Sequence, residues 1–254
     1  MKIHYTAPYL LDPTHRVTIH LIGVGGTGSL CLTHLARLNE ALLALGHPGI
    51  HVRCWDDDTV SEANIGRQLF SAVDIGLHKS VVLISRVNRF FGYNWEAYTE
   101  KFTGENTANI IMSCIDTAAG RIKIYNNLQK LSVNHMAPDK KPLYWLDMGN
   151  LQRTGQVVLG TISSIEQPQS TFPTCANLPT VVDIFPQLRK LKEKDQGPSC
   201  SLAEALNKQD LFINSSVANF GCQLLWRLFR EGSITQHGCF VNLETCCVNP
   251  LPIG

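Results

Sequence analysis

The chain has 254 residues, 44% of them hydrophobic and 17% charged, with a formal net charge of +1. That length buries one substantial core, and the balance of apolar and charged residues is that of a globular protein rather than a disordered one. The near-zero charge provides no basic field for nucleic acid, and the absence of any run of about 18 apolar residues argues against a helical membrane span. The opening stretch, MKIHYTAPYLLDPTHRV, has no signal-peptide core, so a cytoplasmic location is expected. The nine cysteines are Cys31, Cys54, Cys114, Cys175, Cys200, Cys222, Cys239, Cys246 and Cys247, an odd and scattered set that argues against a secreted disulfide framework.

Val17–Gly23 reads as a buried strand ending in glycine. Thr27–Leu45 carries Leu and Ala at helical spacing until Gly46-His47-Pro48-Gly49 stops it. Ile50–Trp55 is a second strand, closed by Asp56-Asp57-Asp58, and the three together open a doubly wound sheet. Lys79–Phe91 has a helical apolar period. Trp95–Tyr98 and Asn109–Ile115 read as short strands, Thr117–Val133 as a helix, and Leu143–Asp147 with Gln156–Ile162 as a strand pair around a Gly149–Gly155 turn region. Prolines and charges over residues 163 to 200 suggest a long connection. Leu211–Arg230 returns to a helix with an apolar stripe, and Gly238–Val248 reads as strand. The expectation is a Rossmann-like, doubly wound, mostly parallel α/β sheet with flanking helices and C-terminal antiparallel strands. It forms a single domain over 1–254: a nucleotide-binding core at 17–162, a crossover loop at 163–200, and C-terminal helices and strands at 201–254.

Gly23, Gly25, Gly26 and Gly28 let the backbone approach a phosphate, and the following helix offers it free N–H groups. Asp56 stands at a strand end, where a carboxylate accepts hydrogen bonds from ribose hydroxyls. Those features alone fit any nucleotide site. Asp58, Asn64, Arg67, Gln68 and Lys79 follow, and hydride transfer has no need of such a set. Cations that neutralise charge on phosphate oxygens and on departing pyrophosphate do have a use for it. Asp116 ends a further strand at the same edge, where a carboxylate holds Mg²⁺ against a triphosphate.

GVGGTG at 23–28, DDDTVSEANIGRQ at 56–68, DIGLHK at 74–79 and CIDTAAGR at 114–121 resemble the ubiquitin-activating-enzyme superfamily in its bacterial ThiF/MoeB/HesA form. GNLQRTGQVVLG at 149–160 is similar to that family's next strand pair. SCSLAEALNKQDLFINSSVA at 199–218 and HGCFVNLET at 237–245 resemble a narrower group, the ThiF-related proteins of PRTRC gene cassettes. The resemblance implies ATP-dependent adenylation of the C-terminal carboxylate of a small ubiquitin-like or sulfur-carrier-like protein, by a homodimer. It implies that Asp56 binds ribose and that Asp58 and Asn64 shape the pocket. Arg67, Gln68 and Lys79 would contact phosphates, and Asp116 would engage Mg²⁺. Cys200, in the long connection near Lys190, Lys192 and Lys194, stands where relatives can carry an acyl-accepting cysteine.

The sequence departs from the family in three places. It has no CxxC pair, so no structural zinc is expected; Cys175, Cys239, Cys246 and Cys247 are candidate substitutes, but adjacent Cys246-Cys247 on a strand would face opposite ways. Arg16 is the one arginine in the early segment available to act across a dimer. Thr117 stands where an Asn commonly follows the metal-binding Asp. Two other readings compete: a non-catalytic adaptor that binds a nucleotide or carrier, and an NAD-type dehydrogenase. The dehydrogenase leaves Arg67, Gln68 and Lys79 without a task.

Overall fold

A computed structural model describes residues 2–104, 107–131, 136–190 and 209–254. The chain opens on a two-residue strand β1 (His4–Tyr5) and a single helical turn α1 (Pro8–Leu11), neither of which has enough pattern to be legible in the sequence. Strand β2 (Val17–Ile22), helix α2 (Gly26–Ala44) and strand β3 (Ile50–Trp55) follow as expected. Two 3₁₀ turns, Glu62–Asn64 and Ala72–Asp74, lead to α3 (Lys79–Phe91) and β4 (Glu96–Tyr98). Then come β5 (Ile110–Ser113), α4 (Ala118–Lys130), β6 (Tyr144–Asn150) and β7 (Thr154–Thr161). The last elements are α5 (Val181–Ile184), α6 (Ile213–Glu231), β8 (Ser233–Ile234), β9 (Gln236–Asn242) and β10 (Cys247–Pro252).

Eight strands form one sheet in the order β10-β9-β7-β6-β5-β2-β3-β4, while β1 pairs with β8 apart from it. Strands β4, β3, β2, β5 and β6 run parallel, and β7, β9 and β10 continue the sheet antiparallel. From β2 the chain winds outward through β3 and β4, then returns to β5 on the other side. The order therefore reverses between β2 and β5, and ligands of open α/β sheets bind at the carboxyl edge of such a reversal.

Alternation along the strands divides the core in two. Ile19 and Leu21 of β2, Val52 and Cys54 of β3, and Ile110 and Met112 of β5 belong to the cluster with Leu32 and Leu35 of α2 and Leu225 and Leu228 of α6. Ile22, Trp55, Ile111 and Trp145 belong to the other, with Ile124 and Leu128 of α4 and Val181 and Val182 of α5. Each such side chain taken fully out of water contributes roughly 1.5–3 kcal/mol. Both faces of the central strands are covered, which is why those strands read as continuous apolar runs.

Four expectations are corrected. Gly149, Asn150, Thr154 and Gly155 belong to paired strands rather than a turn, with Gly149 opposite Gln156 and Asn150 opposite Gly155. Gly238–Val248 is not one strand, because a turn at residues 243–246 separates β9 from β10. The stretch 163–200, expected as loop, contains α5 and a 3₁₀ turn at Pro186–Lys190 within its described part. Strand β5 closes at Ser113, so Asp116 lies three residues past the strand in the connection to α4.

Candidate functional site

The turn after β2 is set by sterics. Gly23 has φ +81°, and a Cβ on it would meet the Cys114 carbonyl oxygen at 2.9 Å. A Cβ on Gly28 would stand 1.9 Å from the Gly23 carbonyl oxygen, a separation no side chain can occupy. The two glycines thus let the first turn of α2 press against the loop that leaves β2. Gly25 precedes α2 with no side-chain cap, so the helix presents uncapped N–H groups and its positive dipole end at the carboxyl edge.

Asp56, directly after β3, leans back over this turn. Its Oδ2 accepts the Val24 amide at 2.6 Å and its Oδ1 accepts the Asp58 amide at 2.9 Å. Burial pushes the Asp56 carboxyl above its usual range, opposed by those two amides and by the nearby Lys79 charge. Each carboxylate oxygen retains a lone pair, so both can still accept a hydroxyl. Asp58 accepts Lys79 Nζ at 2.7 Å and its carbonyl accepts the Lys79 amide at 3.0 Å. The Lys79 side chain is 8% exposed and that of Asp58 is 68% exposed. The ammonium is therefore held in a buried stem position by a solvated carboxylate, an arrangement that contributes little to stability and fixes where the cation sits.

The segment between them is built by side-chain caps. Asn64 Oδ1 accepts the Ser61 amide and hydroxyl, and Asp74 does the same for Ser71, so each 3₁₀ turn carries its own capping box. The Gln68 amide then bonds to the Asn64 carbonyl at 2.9 Å, directing Gln68 toward the glycine turn, where its side chain lies 3.8 Å from a Cβ position on Gly25. Gln68 is buried and its Oε1 has no hydrogen-bond partner. Arg67 donates from Nη1 to Gln209 Oε1 at 2.7 Å, its buried Nε has no partner, and burial lowers its pKa. Buried polar groups are ordinarily satisfied, so the orphaned Gln68 Oε1 beside the uncapped helix end, next in sequence to the orphaned Arg67 Nε, makes this turn the candidate place for a polar ligand.

Sequence reasoning missed the residues that close this network. Asn214, at the start of α6, donates to Gln209 Oε1 at 3.4 Å and accepts the Thr27 hydroxyl at 2.9 Å. Its side chain occupies the space a Cβ on Gly26 would need. An Asn beside Ile213 on an otherwise apolar helix stripe was the one available signal.

The structure brings Gly23, Gly25, Gly26, Gly28, Asp56 and Gln68 directly together. Asp58, Asn64 and Lys79 support them from the side, and Arg67 is linked to the turn through Gln209 and Asn214. Asp116 is exposed, in a loop whose Cys114 packs against Gly23 and Gly28. Arg16 donates to Asn94 Oδ1 at 3.0 Å, next to the start of β4 and thus at the opposite, amino edge of the sheet. Cys200, Lys192 and Lys194 lie outside the described residues, and Lys190 is exposed. Cys175 donates to the Asn177 carbonyl, and burial raises the Cys239 thiol to about 11. Cys246 sits in the turn with φ 54°, so it does not share a strand with Cys247 as expected. Among the described residues no three His, Cys, Asp or Glu side chains group as metal ligands.

The sequence profile of the ThiF family matches residues 10–236. The chain belongs to the ThiF family. No curated protein matches it. Among solved structures, PaaA superposes on 96% of this chain with a TM-score of 0.61 at 13% identity, and the chain spans 65% of PaaA. E. coli MccB with AMPCPP and MccA matches 97% of the chain and 67% of MccB, at 14% identity and a TM-score of 0.58. E. coli MccB with ATP covers 96% and 65%, at 13% identity and 0.55. At such identities these neighbours establish the Rossmann-like fold of the ThiF family, with its mostly parallel sheet and antiparallel C-terminal strands.

Proposed function

We propose that this ThiF-family chain binds ATP at the glycine turn and adenylates the C-terminal carboxylate of a small ubiquitin-like or sulfur-carrier-like protein. The observation that carries this reading is the uncapped start of α2 with Asp56 and Gln68 against its glycine turn, the Gln68 Oε1 buried without a partner, and the unpartnered Nε of Arg67 on the adjoining residue. The E. coli MccB structures with ATP, and with AMPCPP and MccA, lend support by analogy. In this reading Asp56 accepts the ribose hydroxyls, and the α2 N–H groups with Arg67, Gln68 and Lys79 meet the phosphates. Asp58 and Asn64 hold those groups in place. Asp116 is an exposed carboxylate that joins no group of three possible metal ligands among the described residues, which fits Mg²⁺, an ion usually held by one or two carboxylates, waters and the phosphates themselves. Held there by Asp116, Mg²⁺ would neutralise phosphate charge.

The substrate carboxylate is ionised near neutral pH and needs no general base. One of its oxygens attacks the α-phosphorus, the bond from that phosphorus to the bridging oxygen breaks, and pyrophosphate leaves with the electron pair. Two anions must meet for this, so the fixed cations and N–H groups supply the main stabilisation. Transfer of the acyl group to the Cys200 thiolate, with AMP leaving, is the further step that this reading allows.

Residues 199–218 and 237–245 favour a member of the PRTRC-associated group. Leu69, Val73, Ile75, Leu77 and Val81 are all exposed along the stretch between Arg67 and the second turn of α3, and they support a homodimer. No helix among the described residues is long and apolar enough to cross a membrane, and we place the protein in the cytoplasm. The deciding experiment is intact mass spectrometry of a candidate carrier protein after incubation with this chain, ATP and Mg²⁺. An adduct of AMP supports the reading. NADH binding with no measurable ATP affinity overturns it.

A further inference from the structure

Beside the glycine turn lies a buried polar cluster that none of the roles above uses. Arg121, on α4, and Asp147, on β6, are 6% and 1% exposed. Arg121 Nε reaches both carboxylate oxygens of Asp147, at 2.9 and 3.0 Å. Ser113, the last residue of β5, donates its hydroxyl to Asp147 Oδ1 at 2.6 Å and accepts the indole N–H of Trp145 at 2.7 Å. The other end of the guanidinium faces the loop between β5 and α4: Nη2 donates to the Ile115 carbonyl at 2.7 Å, and Nη1 to the Thr117 carbonyl at 3.5 Å.

Those two carbonyls belong to the residues on either side of Asp116. We infer that Arg121, held by Asp147, is a positioning residue that clamps the Ile115–Thr117 loop and so fixes where the Asp116 carboxylate stands relative to the triphosphate. This rests on the role given to Asp116 in the proposed function.

The geometry suits a clamp better than a simple stabiliser. A buried ion pair is poor evidence of net stability, because desolvation offsets much of its attraction. A guanidinium divides its fixed fork of donors between partners in a way an ammonium cannot. Here it spends one side on a strand and the other on the backbone flanking a single exposed acid. Neighbouring side chains are shaped to admit it. A Cβ on Gly149 would stand 2.6 Å from Arg121 Nη2, and Gly120 leaves room for Ile115, whose Cδ1 would lie 2.7 Å from a Cβ there. Thr117 completes the loop by accepting the Gly120 amide at 3.3 Å. Asp116 itself projects from the clamped segment into solvent.

The test compares Asp147→Asn and Arg121→Lys with Ser113→Ala, which removes one hydrogen bond to Asp147 and leaves both charges of the clamp and its bonds to the loop carbonyls in place. Because breaking one partner of a buried pair can prevent folding, the double variant Arg121→Met/Asp147→Leu removes both charges together. Two readouts are taken on the full chain: backbone hydrogen exchange without nucleotide at the amides of residues 120 and 121, which donate to the Thr117 hydroxyl and carbonyl, and the Mg²⁺ concentration that half-saturates the tightening of ATP binding. Exchange at least tenfold faster at the amides of residues 120 and 121, with at least a tenfold rise in that Mg²⁺ concentration, is expected in the clamp variants and not in Ser113→Ala. Exchange and Mg²⁺ dependence unchanged in the double variant, or shifted equally in Ser113→Ala, overturns the inference. If the unaltered chain binds ATP with no response to Mg²⁺, the role of Asp116 fails instead, while the exchange rates still decide whether the clamp exists.

Discussion

Acid should weaken this protein through His20, which lies on β2 three residues before the glycine turn. The ring is fully buried against Trp55 at 5.6 Å and Phe102 at 5.3 Å between centroids, and neither ring nitrogen has a hydrogen-bond partner. Burial, reinforced by the Arg53 charge and opposed by Glu96, lowers its pKa from 6.5 to about 3. The folded-state value is depressed, so the unfolded chain takes up the proton first. The contribution of neutral His20 is complete above pH 6.5 and is lost as pH falls from there toward 3. Between pH 7 and pH 4.5 those two pKa values correspond to a loss of roughly 2–3 kcal/mol, a sizeable share of a typical folding free energy. Carboxylates contribute to acid sensitivity as well, so the measurement must isolate one ring. Urea unfolding of the unaltered chain and of His20→Phe at both pH values does this, since Phe keeps the aromatic packing and cannot titrate. The acid-induced loss should be smaller in His20→Phe by roughly 2–3 kcal/mol. Equal losses in the two proteins would refute the assignment.

Three further outcomes follow from the site. Gly28→Ala places a methyl 1.9 Å from the Gly23 carbonyl oxygen, so calorimetry should find ATP binding abolished and the melting temperature lowered by several degrees. Arg67→Ala removes a cation without opening the core. Pyrophosphate exchange into ATP should fall at least a hundredfold, with circular dichroism unchanged, and full exchange would remove Arg67 from the phosphates. Asp116→Ala, at an exposed position, should leave the melting temperature within about 1 °C while raising the Mg²⁺ requirement for ATP binding. Titration of the variant with Mg²⁺ checks this.

Legibility in the sequence tracked locality. β2, α2, β3 and α3 announced themselves because each is strongly patterned along its own length, and β3 and α3 fall at the residues expected. The β6–β7 hairpin misled because Gly149 and Gly155 look like turn residues. They sit in strands because Arg121 Nη2 and Val217 Cγ2 need the space their missing side chains leave. β1 escaped notice since its partner β8 lies near the other end of the chain. The candidate site divides the same way. Residues 56–79 cluster in sequence and could be read as one group. Gln209, Asn214, Arg121 and Asp147 act only through contacts that the fold creates, and no spacing rule marks them.

The hydrogen bond from Thr27 to Asn214 spans 187 positions. During synthesis the glycine turn therefore leaves the ribosome long before the helix that buttresses it, and ordering of that turn must wait until residue 214 has emerged. Such distant closures are slow. A nascent fragment ending anywhere before the Asn214 codon would expose the turn without its support, so nucleotide capture should begin only once that helix has been made.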